Sequence, residues 1–374
     1  MSKPLRVLPS TDPVAALLAL GEALEGRLAV HICDHEHTNL PDEVGDEVAV
    51  LVESSGSTGR PKMFELSADA LLASARATEA ALGGPGQWLL CLPITYIAGL
   101  QVLIRSLLAD TQPVLTNTSM PFTAEGFARA ASLMKGERRY TSLVPAQLGR
   151  LASAAGSDDF VLEQLRRFDA ILVGGQAPNP NMVTLLRNLG VNVVVTYGST
   201  ETSGGCVYDG VALKGVGIGL LEDGRIAISG PTLANGLKGE WQSNDLGALE
   251  PDGKLVVLGR ADRVIISGGL KLSLDWVEQW ITAHAQVQDV VVLPLDNPKF
   301  GQSFVAFVVY KNADVPPINP EHAVQQFGQA ASTAVWAAVS KLPMLSNGKP
   351  DLEALKQDFM EFQEQVRREN GKEN

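Results

Sequence analysis

Nine consecutive residues, Ser54-Ser55-Gly56-Ser57-Thr58-Gly59-Arg60-Pro61-Lys62, combine hydroxyls, glycines and a closing lysine directly after the apolar run Val48-Ala49-Val50-Leu51-Val52. That is the chemistry of a polyphosphate cradle. Gly56 and Gly59 let backbone N–H groups turn toward an anion, the hydroxyls of Ser54, Ser55, Ser57 and Thr58 add donors, and Lys62 adds a positive charge. The implied ligand is a nucleoside triphosphate. The spacing excludes an ordinary P-loop, which needs Gly-x4-Gly-Lys-Ser/Thr, because Gly56 and Gly59 stand three apart and Pro61 precedes the lysine. Composition alone would equally describe a Gly/Ser surface turn.

The elements that must hold this loop follow from the residues around it. Lys62-Met63-Phe64-Glu65-Leu66 alternates and is too short for a helix, so the loop should join two strands. A helix should start after Ser67 as N-cap and stop at Gly83. Strands then alternate with helices: 170–173, a helix around 182–189, then 191–195, the pattern of a mainly parallel α/β core. In such sheets ligands sit beyond the carboxyl ends of the strands. That singles out the loops Val173-Gly174-Gly175-Gln176-Ala177-Pro178 and Thr196-Tyr197-Gly198-Ser199-Thr200-Glu201-Thr202-Ser203-Gly204-Gly205.

After about residue 213 the chain turns to short β segments, with Asp252-Gly253 as a hairpin signal. Past Arg260-Ala261-Asp262-Arg263 a further unit of about 110 residues is expected, large enough for its own core. It should contain a helix near 274–284, strands at 290–293 and 304–310, a helix near 321–340 and a last helix from Asp351, with a polar, fraying tail over 363–374.

With 374 residues, 45 % of them hydrophobic and 19 % charged, the chain can hold two core-forming domains. The net charge of −12 argues against a nucleic-acid partner, since no basic stripe is segregated on one face. No run reaches the roughly 18 apolar residues of a membrane span, and residues 1–10 lack a signal-peptide pattern, so a cytoplasmic location is expected. Cys33, Cys91 and Cys206 are odd in number and far apart, which fits small core residues in a reducing compartment. His31, Cys33, His35 and His37 alternate and would share one face of a strand, but their spacing matches no standard zinc pattern.

The phosphate loop, Tyr197-Gly198-Ser199-Thr200-Glu201, Asn244-Asp245-Leu246-Gly247, Gly259-Arg260-Ala261-Asp262-Arg263 and Asn347-Gly348-Lys349 together resemble, in order, the motifs of the acyl-adenylate-forming enzymes. Within that family the short chain and the segment Leu92-Pro93-Ile94-Thr95-Tyr96-Ile97-Ala98-Gly99-Leu100-Gln101-Val102-Leu103-Ile104-Arg105-Ser106 look most like the short actinobacterial o-succinylbenzoate-CoA ligases of menaquinone biosynthesis. Two departures stand out. Few residues precede the phosphate loop, so the first subdomain must be reduced, and Tyr96 stands where a histidine is common.

The resemblance implies an α/β fold: a large multi-sheet N-terminal domain over 1–261 with a shortened first subdomain, and a small mobile α+β lid over 262–374, hinged near Asp262. It implies an aryl carboxylate activated by ATP and Mg²⁺ as acyl-AMP and passed to coenzyme A. It leaves open another acid-CoA ligase, loading of a carrier protein, a non-catalytic nucleotide-binding protein, and assembly into a homo-oligomer. By the same resemblance Glu201 would hold Mg²⁺, Thr200 contact the α-phosphate, and Tyr197 stack on adenine beside Gly174, Gly175 and Gln176. Gly198 and Ser199 complete the ATP site, Asp245 and Arg260 would fix the ribose, and Lys349 would neutralise charge during adenylation. Gly268, Gly269 and Lys271 would approach CoA, and Tyr96, Arg105 and Gly204 would line the acyl pocket, with Arg105 a counter-charge for a second carboxylate. Taken singly these residues have plainer readings: Glu201 as a helix-end carboxylate, Tyr197 as a core aromatic, Asp245 and Gly268-Gly269 as turn residues, Arg105 as half of a structural salt bridge and Lys349 as a solvated loop lysine.

Overall fold

In the computed structural model the described residues are 1–34, 40–54, 62–237, 239–312, 317–345 and 350–370, without the side chains of 329 and 362–370. Contacts divide them into two units, Met1–Ser243 with Ala248–Val256, and Asn244–Gly247 with Val257–Asn374.

The first unit is built on two sheets. One has the strand order Glu43–Gly45, Ser2–Pro9, Ala29–Cys33, Val50–Ser54, Lys62–Leu66. The other runs Val211–Ala212, Gly204–Tyr208, Val193–Ser199, Ala170–Val173, Arg139–Leu143, Gln87–Leu90, Val114–Leu115. From Val193–Ser199 to Val114–Leu115 every pairing is parallel, whereas Gly204–Tyr208 folds back antiparallel on Val193–Ser199. This sheet is buried on both faces, so its strands are apolar runs in which neighbours serve different cores. Ala170 and Leu172 join a cluster with Val30, Val50, Leu71, Leu100 and Trp88, while Ile171 and Val173 join one with Phe127, Leu143, Leu151 and Leu165.

The helix Ala68–Ala81 starts where expected: the Ser67 side chain accepts from the Ala70 N–H, and Gly83 takes φ +86° just beyond its end. The helix Ile97–Leu108 is buried almost all round, from Ile97 and from Gly99 through Ser106. Its start lies so close to the chain before it that a Cβ on Gly99 would fall 2.2 Å from the Pro93 carbonyl oxygen.

A four-stranded sheet, Gly217–Leu220, Arg225–Ser229, Glu240–Leu249, Leu255–Arg260, follows, and the division between the units passes through its last two strands. The second unit has a sheet ordered Leu270–Ser273, Val264–Ser267, Gly301–Tyr310, Val287–Asn297. The helix Leu274–Thr282 packs Val277 and Ile281 into a core with Val292, Phe304 and Ala306.

The expected helix over 321–340 is replaced by three elements, Pro320–Phe327, Gln329–Ser332 and the strand Val335–Ala338. Gly328 at φ +65° breaks the helix, and Val335–Ala338 pairs in parallel with Val305–Val308. The last helix, Leu352–Asn370, is capped by the Asp351 carboxylate accepting from the Ala354 N–H, and it continues through most of the segment expected to fray. No helix among the described residues is long and apolar enough to cross a membrane.

Candidate active site

The phosphate loop is held at its base. Val50–Ser54 and Lys62–Leu66 pair antiparallel to their ends, where Ser54 faces Lys62. The two strands thus pin a seven-residue connection at both sides; Ser55, Gly56, Ser57, Thr58 and Gly59 lie outside the described residues. Ser54 is half-buried and Lys62 exposed.

Two sheet loops meet beyond the carboxyl ends of adjacent parallel strands. Val173 pairs with Val195, so Gly174-Gly175-Gln176 emerges beside Thr196-Tyr197-Gly198. Gly174 has no room for a side chain, since a Cβ would stand 2.3 Å from Thr196 Oγ1, and Gly175 has φ +83°. Gly175 and Gln176 are exposed and Tyr197 is half-buried with its hydroxyl 3.4 Å from Ser243 Oγ, so an aromatic face stands over an open backbone shelf. That combination suits a planar base.

After Tyr197 the chain bulges and reverses tightly. Gly198 is obligatory because a Cβ there would lie 2.1 Å from the Gly204 carbonyl oxygen. Thr202, fully buried, closes the reversal with one oxygen: Oγ1 accepts from the Ser199 N–H at 2.9 Å and donates to the Gly204 carbonyl at 2.8 Å. The Ser203 N–H donates to the Thr200 carbonyl, and the Ala234 N–H donates to the Glu201 carbonyl. Thr200 and Glu201 are therefore presented on a turn braced from three sides, Thr200 nearly buried and Glu201 half-buried. The buried Ser199 hydroxyl has no partner among the described residues.

Gly204, at φ +109°, packs against the buried helix: its Cβ would approach Gln101 Cγ at 3.3 Å and Ile97 Cγ1 at 3.8 Å. Tyr96 is the half-buried residue immediately before that helix. Arg105 lies two turns further along, 5 % exposed, with its guanidinium 5.0 Å above the Trp88 ring. Burial lowers its pKa, and no ion-pair partner for it is present among the described residues.

In the second unit the charged residues form one linked set. Arg260 Nη1 lies 3.4 Å from Asp245, and its Nε and Nη2 grip both oxygens of Asp262 at 2.8 and 2.6 Å. The hydrogen bonds from Arg260 hold the Asp262 carboxyl below its ordinary pKa. The Arg260 N–H donates to Asp275 at 2.6 Å, and Gly259, φ +128°, admits that carboxylate, which a Cβ would meet at 2.6 Å. Asp275 also pairs with Arg263 at 2.6 Å, and Arg263 with Glu278. Glu278 accepts from the Val292 N–H, yet burial pushes its carboxyl up to about 7 against the opposing pull of Arg263. Gly268 and Gly269, at φ +58° and +85°, form the two-residue turn between Val264–Ser267 and Leu270–Ser273, the geometry that demands glycine. Lys271 is exposed beside it. Lys349 lies outside the described residues.

The pattern of the AMP-binding enzyme family matches residues 8–240, which include the pinned loop and both sheet loops. The chain belongs to the AMP-binding enzyme family. Among its relatives, a probable 2-succinylbenzoate–CoA ligase of Mycobacterium tuberculosis (strain CDC 1551 / Oshkosh) is 40 % identical over 372 residues, covering 95 % of this chain and 93 % of that protein. A 2-succinylbenzoate–CoA ligase of Bacillus cereus (strain ATCC 10987 / NRS 248) is 27 % identical over 310 residues, 73 % of this chain and 63 % of the relative. Solved AMP-binding enzymes share the fold. The amide bond synthetase McbA of Marinactinospora thermotolerans superposes with TM-score 0.73 at 20 % identity, covering 95 % of this chain and 80 % of that one. The o-succinylbenzoate CoA synthetase of Bacillus subtilis, in complex with its acyl-adenylate intermediate, superposes with TM-score 0.69 at 22 % identity, covering 92 % and 81 %. Such a mixed α/β, multi-sheet architecture is the one the motifs implied.

Among the described residues no group of three His, Cys, Asp or Glu could hold a metal ion by itself. A single presented carboxylate, Glu201, suits Mg²⁺, which keeps most of its shell for water and phosphate. His31 is buried in its strand with Nδ1 3.1 Å from the Leu51 carbonyl, while His35 and His37 lie outside the described residues. Cys91 and Cys206 are buried core thiols, pushed by burial to about 12 and about 11, and Cys33 is half-buried; none of the three is in a disulfide among the described residues.

Sequence reading missed Thr202, Gln101 and Asp275. Gln101 is a polar residue inside an apolar run, the one local signal available; Thr202 stands among other polar residues that hide it, and Asp275 looks like an ordinary first-turn helix carboxylate.

Proposed function

We propose that the protein is a cytoplasmic, AMP-forming acid–CoA ligase that converts o-succinylbenzoate, ATP and coenzyme A to o-succinylbenzoyl-CoA, AMP and pyrophosphate in menaquinone biosynthesis. The observation that carries this is the 40 % identity to a probable 2-succinylbenzoate–CoA ligase along nearly the whole of both chains. The fold alone would not choose the acceptor, since an amide bond synthetase shares it equally well.

The first half-reaction joins two anions. A substrate carboxylate oxygen attacks the α-phosphorus of ATP and pyrophosphate leaves, so the protein must supply alignment and positive charge. Tyr197 and the shelf Gly174-Gly175-Gln176 take adenine, Asp245 and Arg260 the ribose hydroxyls, and the loop from Ser54 to Lys62 the β- and γ-phosphates. Thr200 contacts the α-phosphate from its braced turn. Glu201 would hold Mg²⁺, which would supply neutralisation of the phosphate charge. Lys349 adds a further cation for this step. In the second half-reaction the CoA thiolate attacks the acyl carbon and AMP leaves. Gly268, Gly269 and Lys271 receive the pantetheine and phosphates of CoA after the lid turns about Asp262.

Tyr96, Gly204 and Arg105 line the acyl pocket in this reading. A buried guanidinium without a carboxylate of its own supports Arg105 as the partner of the second, unreacting carboxylate. Arg105→Met should then raise KM for o-succinylbenzoate and leave KM for ATP unchanged.

The test follows pyrophosphate and CoA thioester together with ATP, Mg²⁺, CoA and a panel of aryl acids. Turnover of o-succinylbenzoate above all others is the expected result. Pyrophosphate release without thioester would redirect the acceptor, and silence with every acid would overturn the ligase reading.

A further inference from the structure

We infer that Gln101 is a positioning residue for adenylate formation, clasping the turn that presents Thr200 and Glu201 to the buried helices behind it; this rests on the function proposed above. Gln101 is wholly buried in the helix Ile97–Leu108, whose other buried polar residues are Arg105 and Ser106. Its Nε2 donates to the Ser203 carbonyl at 2.8 Å and lies 3.3 Å from the Leu71 carbonyl of the helix Ala68–Ala81. Two carbonyl oxygens facing one end of the amide fix that end as the NH2 group.

What it grips is strained. Ser203 is a non-glycine residue at φ +52°, a conformation L side chains seldom adopt, and it turns its carbonyl out of the strand toward the helix. The Ser203 N–H in turn donates to the Thr200 carbonyl. One amide therefore fixes a left-handed residue three positions from Thr200 and two from Glu201. Strain of this kind persists where the surroundings over-determine it, and it gathers at functional sites.

The clasp also carries a deficit that packing alone does not explain. Gln101 Oε1, the Ser74 hydroxyl and the Ser203 hydroxyl are buried without partners among the described residues. Ser74 Oγ lies 3.8 Å, and Gln101 Cγ 3.3 Å, from the same point, the Cβ position of Gly204. A methionine in place of Gln101 would fill similar volume and remove the unpaired oxygen at the cost of the bond to the Ser203 carbonyl, so a purely structural role would show as lost stability with both half-reactions affected alike.

Gln101→Met distinguishes the roles. The expected result is adenylation, read by acid-dependent pyrophosphate exchange, slowed about 10- to 100-fold by misplacement of the turn, with thioester formation from supplied acyl-adenylate within about two-fold of wild type. The Mg²⁺ concentration for half-maximal adenylation should rise, and Tm should fall only modestly, by the loss of one buried donor to the Ser203 carbonyl. Parallel loss of both half-reactions with a fall in Tm, or no change in either, would overturn the inference. Gln101→Glu, an isostere that sets a carboxylate against the two carbonyls, should repeat the selective loss. Failure of both variants to fold would make Gln101 a stability residue and overturn the inference as well. Silence of the wild-type enzyme with every acid would instead remove the ligase reading. The clasp is then read by Mg²⁺–ATP affinity in calorimetry, which Gln101→Met should weaken if the clasp positions the turn and leave unchanged if it does not.

Discussion

The turn at Thr200–Gly204 and the charged segment from Gly259 to Glu278 both present functional groups, and they are held by opposite means. The turn is sealed by neutral contacts: a threonine hydroxyl, a glutamine amide and backbone N–H groups, nearly all buried. The segment is held by ion pairs, with Arg260 divided between Asp245 and Asp262 and Arg263 between Asp275 and Glu278. Buried neutral hydrogen bonds have one good geometry and are costly to leave unmade, so they fix a shape. Part-exposed ion pairs bring little net stability and can exchange partners, which suits a segment proposed to turn.

The largest effect is expected from the charge the lid would bring. Lys349→Ala should lower adenylate formation by about 10²- to 10³-fold, with thioester formation from supplied adenylate far less affected, as single-turnover assays of each half-reaction would read. Equal loss in both would remove the lysine from the first step. Thr202→Val attacks the neutral turn, stranding the Ser199 N–H; a loss of about 1–3 kcal/mol of stability and slower adenylation are expected, checked by denaturant unfolding alongside pyrophosphate release. Asp262→Pro, which fixes the backbone at the proposed hinge, should separate the half-reactions while ATP affinity holds, and unchanged rates for both would sink the hinge.

Acidity sharpens the contrast further. Glu278 has its folded pKa raised by burial to about 7, so between the ordinary carboxylate range and 7 the folded state binds the extra proton. Stability from this group is present below the unfolded pKa and is lost as pH rises through about 7. The unfolding free energy from urea titrations should fall by up to about 3 kcal/mol from pH 5 to 8, and Glu278→Gln should flatten that slope. Asp262 has the opposite sign: Arg260 depresses its pKa, so its contribution is present above the ordinary carboxylate range and is lost on acidification. The smallest effect is expected at Asp262→Asn, under about 1 kcal/mol in the same unfolding assay because the pair is largely solvated.

The parts of the fold legible in sequence were those decided locally. The apolar run before the hydroxyl-rich loop and the alternation after it marked two strands, and Ser67 and Gly83 marked the bounds of a helix; these bounds match Ala68–Ala81. The helix read over 321–340 was not local. Val335-Trp336-Ala337-Ala338 carries helix-compatible alanines, and only pairing beside Val305–Val308 makes it a strand. Of the site, the motif residues were visible by type and order. Their supports were not: Gln101 meets Ser203 across 102 positions, and Asp275 meets the Arg260 N–H only because Gly259 leaves space.

The sequence by itself determined the chemistry available: a hydroxyl-rich loop, a Tyr-Gly-Ser-Thr-Glu segment, paired Asp and Arg motifs, and an overall acidity. Tertiary structure alone decided how those groups are held. A residue type fixes which bonds a side chain can make, whereas the partner that makes them is chosen by packing among segments remote along the chain.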